Sequence, residues 1–443
     1  MAAARIPKVV WMKKKWKLKE NPFPSEAIAR LGGEDPRENG QLFDPDVQPE
    51  KLAEAAEKFV LGAAYGGQKF GYLWSLGTGL HGDARGFGKS VILQWLVEQV
   101  NEDFGKRIFL EFGLEESDAE EHPLCAVLAS FDMANARSLN AVFYEAARYA
   151  CRFSLQTDPS TPTLAERIRG RLAAKIGDDS PTALRAAIER VQENQRGRTL
   201  GPLVTEFVEF LCAEDHADLR KYVDEVTPAK RSRSGASFLA TFLIMVKAAG
   251  INHVLLCCDQ LEDFAAPTTT RQRRSIEVER FRDYILELQP MSDMLSCVVT
   301  MHPRATQAIG DMWRLADLPS YDHDREENRQ RVVILERITS VDKARRLMEA
   351  YLARFRSGDG TDPIAPFTLD AIEAILERSD GKPRDILRKA NALIDAGSDA
   401  NWDVIDESRA SQILDSFTQE DDDYAATAPS PRGRTSRDPW SED

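Results

Sequence analysis

The sequence predicts an α/β protein: a parallel sheet layered between helices, interrupted by a helical insertion and followed by an all-helical region. Three observations carry this prediction. A glycine-rich turn at 82–88 stands between an apolar strand candidate and an apolar helix candidate. Continuous apolar runs at Leu124 to Asp132, His253 to Cys258 and Leu295 to Met301 read as strands covered on both faces, as parallel strands are. Beyond Thr339 the strand signal stops and helical spacing replaces it.

Composition sets the outer bounds. At 443 residues the chain can hold two or three domains with a sizeable core. Its 42% hydrophobic and 29% charged content is that of a globular protein in water. No apolar run approaches the ~20 residues of a membrane span, and no secretory leader opens the chain. The six cysteines, Cys125, Cys151, Cys212, Cys257, Cys258 and Cys297, make no C-x-x-C pair. This predicts buried free thiols in a reducing, cytoplasmic compartment and no metal site of their own. A net charge of −14 argues against nucleic-acid binding by the whole surface, so such a contact has to come from a local basic patch.

The first such patch is at the start. Residues 1–20 carry Arg5, Lys8, Lys13, Lys14, Lys15, Lys17 and Lys19, interleaved with Trp11 and Trp16. Basic residues among aromatics can hold phosphates and stack on bases. They equally describe an arm that packs its tryptophans on the body, and a membrane-surface or acidic-partner contact is open too. Residues 21–49 are rich in Pro, Gly and Asp and read as an irregular wrap, so 1–49 forms one arm-and-wrap segment. A helix follows at 49–63, then strand candidates around Tyr72 to Leu80, and a helix over Val91 to Val100. Arg107 to Phe112 and the strand at Leu124 come next, and Ser138 to Ala150 reads as a crossover helix.

Residues 155–234 break the alternation with several polar amphipathic helices. They read as a helical insertion closed by a basic loop, Ala229 to Gly235. The alternation resumes with an apolar helix at Ser237 to Ala249, closed by Gly250. A basic amphipathic helix spans 271–288, a further helix 305–318, and a last strand Arg331 to Leu335. This core covers 50–338. An all-helical region at 339–415 follows, in which Ala344, Leu347, Met348, Tyr351, Leu352 and Phe355 mark one helical face. Residues 416–443 are charged, Pro/Ser-rich and without periodicity, which predicts a disordered tail.

Chemistry concentrates at four places. In GDARGFGKS, Gly86 and Gly88 let the backbone curl its N–H groups, those of Phe87 to Val91 included, onto an anion. Lys89 would reach the β- and γ-phosphates and Ser90 would ligate Mg²⁺, at the positive end of the helix that follows. The usual spacing places a glycine where Asp83 stands, with Gly82 one position earlier. The second place is HVLLCCDQLEDF, a buried strand ending in Asp259, where a fixed carboxylate suits a Mg²⁺ water shell. The third is SCVVTMHP, where Thr300 and His302 end another strand; a threonine satisfied within the sheet fits equally well. The fourth is SDGKPRDIL, where Arg384 opens a helix and can report on a γ-phosphate; a solvated arginine on a capping turn is the other reading.

In this order the four motifs resemble those of the AAA+ ATPases, within them the origin-recognition and initiator-like branch. The resemblance covers roughly residues 21–400 apart from the insertion. It implies an αβα P-loop sheet with a C-terminal helical lid, and ATP with Mg²⁺ as cofactors. Asp259 takes the Walker B role, Thr300 that of sensor 1 and Arg384 that of sensor 2. It also implies nucleotide-dependent homo-oligomers in which a neighbour's arginine completes the site; Arg325, Arg329 and Arg331 are the candidates, although all three sit in a polar loop that can simply be solvated. Action on DNA, through the basic arm, or on an effector protein would follow, in DNA mobility, replication-like or anti-phage roles. The sequence departs from the family at Gln260, where a glutamate usually follows the Walker B aspartate. Gln orients water but accepts no proton at neutral pH. Glu262, with Asp263 beside it, is the candidate base, and slow hydrolysis is the expectation.

Overall fold

A computed structural model describes residues 6–26, 35–65, 68–75, 86–130, 138, 140–152, 161–194, 203–259, 270–287, 294–301, 310–358 and 362–416. The chain divides into two compact units, one built from Ala27–Arg337 and the other from Met1–Glu26 together with Ile338–Asp443.

The larger unit is a three-layer αβα arrangement around one parallel sheet. Its strands are β1 (Phe70–Ser75), β2 (Leu124–Ser130), β3 (His253–Asp259), β4 (Leu295–Met301) and β5 (Val332–Leu335). Their order across the sheet is β2-β3-β4-β1-β5, and every pairing is parallel. Helices cover both faces, which is why the strands read as unbroken apolar runs. The helices that matter below are α1 (Lys89–Asp103), α2 (Asn140–Arg152), α3 (Leu164–Ile176), α4 (Pro181–Glu193), α5 (Thr205–Cys212), α6 (His216–Glu225), α7 (Pro228–Ala248) and α8 (Arg271–Glu287).

Period-2 alternation sorts the strand side chains between two cores. Phe70, Tyr72, Trp74, Val254, Leu256, Cys258, Cys297 and Val299 pack with α2, α3, α7 and α8. Leu73, Ala126, Leu128, Leu255, Cys257 and Val298 face the other way, onto Ile92, Leu93, Leu96 and Val97 of α1 and onto Phe59 and Phe109. All six cysteines are free and buried. Among the described residues no helix is long and apolar enough to cross a membrane.

Helices α3 to α6 form the insertion, and α3 opens with a capping box between Thr163 and Glu166. The structure corrects the basic loop expected at Ala229 to Gly235: these residues are the first turns of α7. Thr227 caps that helix by accepting from the Lys230 N–H, and Pro228 sits in its first turn, where a missing N–H costs nothing. Gly235 does not break the helix. A Cβ there would stand 1.7 Å from the Asn140 carbonyl oxygen, so the glycine is needed for close approach of α2 and α7. The segment at Arg107 is likewise helical, within Lys106–Glu111.

The second unit is helical: α9 (Val341–Phe355), α10 (Leu369–Arg378), α11 (Pro383–Ala400) and a helix at 407–416. The basic arm is built into it. Lys8–Trp11 continues as a wider turn, Met12–Trp16, and Met12 and Trp16 are buried. The indoles of Trp11 and Trp16 both donate to the Trp402 carbonyl, at 2.9 and 3.1 Å. Gly397 leaves the room for Trp16. Lys8 and Lys15 pair with Asp395 and Asp403, while Lys13, Lys14 and Lys17 are exposed.

Candidate functional site

The carboxyl ends of β1, β3 and β4 each carry a polar residue. Ser75, Asp259 and Thr300 follow Leu73, Cys257 and Val298 at even spacing, so alternation points all three toward α1. Each is buried, at 0%, 2% and 0% exposure. Parallel pairing without slippage brings them to one edge: Leu73 stands opposite Thr300, and Cys258 opposite Val299.

The turn between β1 and α1 supplies the cation. Gly86 and Gly88 have φ of 87° and 88°, a left-handed backbone that a residue with a Cβ adopts only under strain. Gly88 is the N-cap of α1 and makes no side-chain cap bond, so the helix opens with main-chain N–H groups at its positive end. Phe87 anchors the turn, its ring buried in the core with Leu73 and Ile92. Its contribution to an anion is therefore its main chain. Lys89 is only 7% exposed, and its Nζ donates to Ser75 Oγ at 2.8 Å. On the neighbouring strands, Thr300 Oγ1 donates to Asp259 Oδ1 at 3.1 Å.

Buried charges cost several kcal/mol each unless partners or ligands compensate them. Here one cation and one carboxylate are held by hydroxyl groups along a single sheet edge. The oxygen donors, the Asp259 carboxylate and the Ser90 hydroxyl at the first turn of α1, are of the kind a small hard cation such as Mg²⁺ takes when phosphates and water complete its shell. Among the described residues no group of three or more His, Cys, Asp or Glu could hold a metal unaided.

Ser75 is the residue the sequence reading missed. Its signal was a single hydroxyl ending the apolar run FGYLWS. Several expected residues lie outside the described ones: Gly82, Asp83, Gln260, Glu262, Asp263 and His302. Arg384 opens α11 in the second unit, where Pro383 holds the first turn and Arg384 Nε donates to the Glu26 carbonyl at 3.2 Å. The three loop arginines differ. Arg325 is exposed and paired with Asp322 at 3.1 Å, Arg329 is exposed, and Arg331 is half-buried where β5 begins.

No family model matches the sequence, and no curated protein is similar to it. Among solved structures the chain is similar to the ORC2 protein of Aeropyrum pernix in its ADPNP–ADP complexes, at 11% identity and a TM-score of 0.43. The match covers 89% of this chain and 71% of that one. A likeness at this level says nothing about individual side chains.

Proposed function

We propose that the chain is an ATP-binding AAA+-like ATPase whose nucleotide sits on the carboxyl edge of the sheet. The observation that carries this reading is the convergence of the two left-handed glycines, the buried Lys89 and the buried Asp259 at one edge. In it, main-chain N–H groups from Gly86 to Val91 cradle the phosphates, and Lys89 turns from Ser75 to the β- and γ-phosphates. Ser90 and Asp259 hold Mg²⁺, which supplies charge neutralisation on the phosphates. Thr300 keeps the Asp259 carboxylate oriented and takes the part of orienting the attacking water, for which Glu262 is the base. Arg384 reads the γ-phosphate, and an arginine among Arg325, Arg329 and Arg331 serves a neighbouring copy in a nucleotide-dependent assembly acting on DNA or a partner protein.

A second reading has one specific observation behind it. Gln260 beside Asp259 cannot accept a proton, which favours ATP as a lock for an oligomeric scaffold that recruits an effector. Calorimetry with MgATP on wild type, Lys89→Ala and Asp259→Ala tests the shared premise; no uptake by wild type sinks both readings. Turnover then separates them. A rate that collapses in Glu262→Gln supports the ATPase, and a negligible wild-type rate with MgATP-dependent assembly supports the scaffold.

A further inference from the structure

The insertion holds a row of cations that phosphate chemistry does not use. In α3, Arg167, Arg171 and Lys175 recur at four-residue steps and so share one face. Arg167 donates to the Asn101 carbonyl from Nη1, at 2.6 Å, and to the Glu102 carbonyl from Nη2. These carbonyls belong to the last turn of α1, where a helix lacks internal donors and its dipole is negative. Further along α3, Arg171 Nε reaches the Ala249 carbonyl at 3.3 Å and Lys175 Nζ the Ala248 carbonyl at 3.1 Å, at the end of α7. The guanidinium groups of Arg167 and Arg171 lie 5.3 and 5.1 Å from the ring of Phe104, the left-handed residue that terminates α1. Beside this face, Ile168 and Leu172 are buried in the core.

The two helices gripped in this way lead to the two halves of the site. Helix α1 begins at Lys89, and α7 runs through the turn at Gly250 into β3, which ends at Asp259. One face of α3 therefore holds, from behind, the element that starts with the buried cation and the one that ends with the buried carboxylate.

We propose that α3 is a brace that sets the spacing between the glycine turn and Asp259, with Arg167 as its principal positioning residue. This rests on the nucleotide reading above and adds to it a role for the insertion: whatever engages α3 to α6 acts on nucleotide affinity through Arg167, Arg171 and Lys175. A helix that only capped its neighbours locally would affect each end separately, whereas a brace couples them.

The test uses the full chain with Arg167→Gln and Arg167→Lys. Arg185→Ala is the control, since its partners Glu189 and Glu209 lie within the insertion. MgATP affinity and amide hydrogen exchange are both measured well below the melting temperature. Arg167→Gln is expected to weaken MgATP binding about tenfold, within the range of site-to-site couplings. It should also speed exchange at two places, at 99–105 and, across α3, at 246–259. Arg167→Lys, which keeps one donor, should recover most of both effects, and Arg185→Ala should show neither. Unchanged affinity in a wild type that binds, or exchange raised only beside Asn101 and Glu102, overturns the brace and leaves a local cap. A wild type that takes up no MgATP removes the nucleotide reading, and the exchange pattern alone then decides whether α3 couples the two elements.

Discussion

The two ends of β3 make an instructive pair. Both carry a titratable residue facing the same side of the sheet, and each shares a hydrogen bond with a hydroxyl of β4: His253 with Ser296 at 2.8 Å, and Asp259 with Thr300 at 3.1 Å. At the amino end the chain of bonds closes on itself. Ser296 Oγ donates to the Gln68 carbonyl at 2.7 Å, so its lone pair is what His253 Nε2–H donates to, and burial favours the neutral imidazole. At the carboxyl end the groups are a carboxylate and, beside Ser75, an ammonium. The amino end also opens on a cavity of about 340 Å³, lined among others by Lys69, His122, Asn252 and His253. Having polar groups at a strand end is therefore not the mark of the candidate site. Buried formal charge beside a glycine turn is.

Variants can break or sharpen this contrast. The largest effect is expected at Lys89. Lys89→Ala should weaken MgATP binding by at least about a hundredfold, about 3 kcal/mol for a lost charged contact, while His253→Gln stays within about twofold of wild type. Equal losses in calorimetry would erase the distinction between the two ends.

Next comes acid stability. Burial, reinforced by Lys69, lowers the His253 pKa from 6.5 to about 4. Between those values the unfolded chain binds more protons than the folded one, so stability rises with pH across this window and is fully present above pH 6.5. On acidification the contribution is lost from pH 6.5 down to about 4, on the order of 3 kcal/mol in total. Urea unfolding of wild type against His253→Gln should show the slope flattened in the variant; parallel slopes would refute the assignment.

Mirror substitutions on β4 come third. Ser296→Ala leaves the His253 N–H without its acceptor and should cost about 1–3 kcal/mol of stability with nucleotide affinity unchanged. Thr300→Val also strips a donor from a buried group, Asp259, and so should cost at least as much stability, about 1–3 kcal/mol, but unlike Ser296→Ala it should in addition lower turnover about tenfold. Melting curves and turnover on both proteins decide the matter, and the same phenotype in both would count against it. The smallest effect belongs to Gly88→Ala. Open space surrounds a Cβ there, so only the φ of 88° is penalised, by about 1–2 kcal/mol, and the loss should appear in MgATP affinity as well as in melting temperature.

Much of this was legible in the chain itself. Helix α9 begins and ends where its apolar spacing says it does, because one amphipathic face is a local property. Asp259 and Thr300 were legible as polar ends of buried runs, and Gly86 and Gly88 as a turn. The bond between Thr300 and Asp259 was not, since register between strands depends on pairing and not on either segment alone. The basic stretch at Ala229 to Gly235 read as a loop because Arg, Ser and Gly dominate it, yet Gly235 serves close packing against Asn140. The partners of Arg167 were invisible for another reason: a side chain that caps a distant helix leaves no periodic trace near itself.

The placement of Trp16 has a consequence for synthesis. It stands 386 residues before Trp402, whose carbonyl it donates to. At about 5–20 residues per second on the ribosome, the first helix waits roughly 20–80 s for the surface that covers it. Throughout that interval two indoles have no native home on the nascent chain, which makes the opening segment a client for holding chaperones. A ribosome stalled before residue 400 should leave both indoles open to a collisional fluorescence quencher, and protection at that stage would contradict this order of assembly.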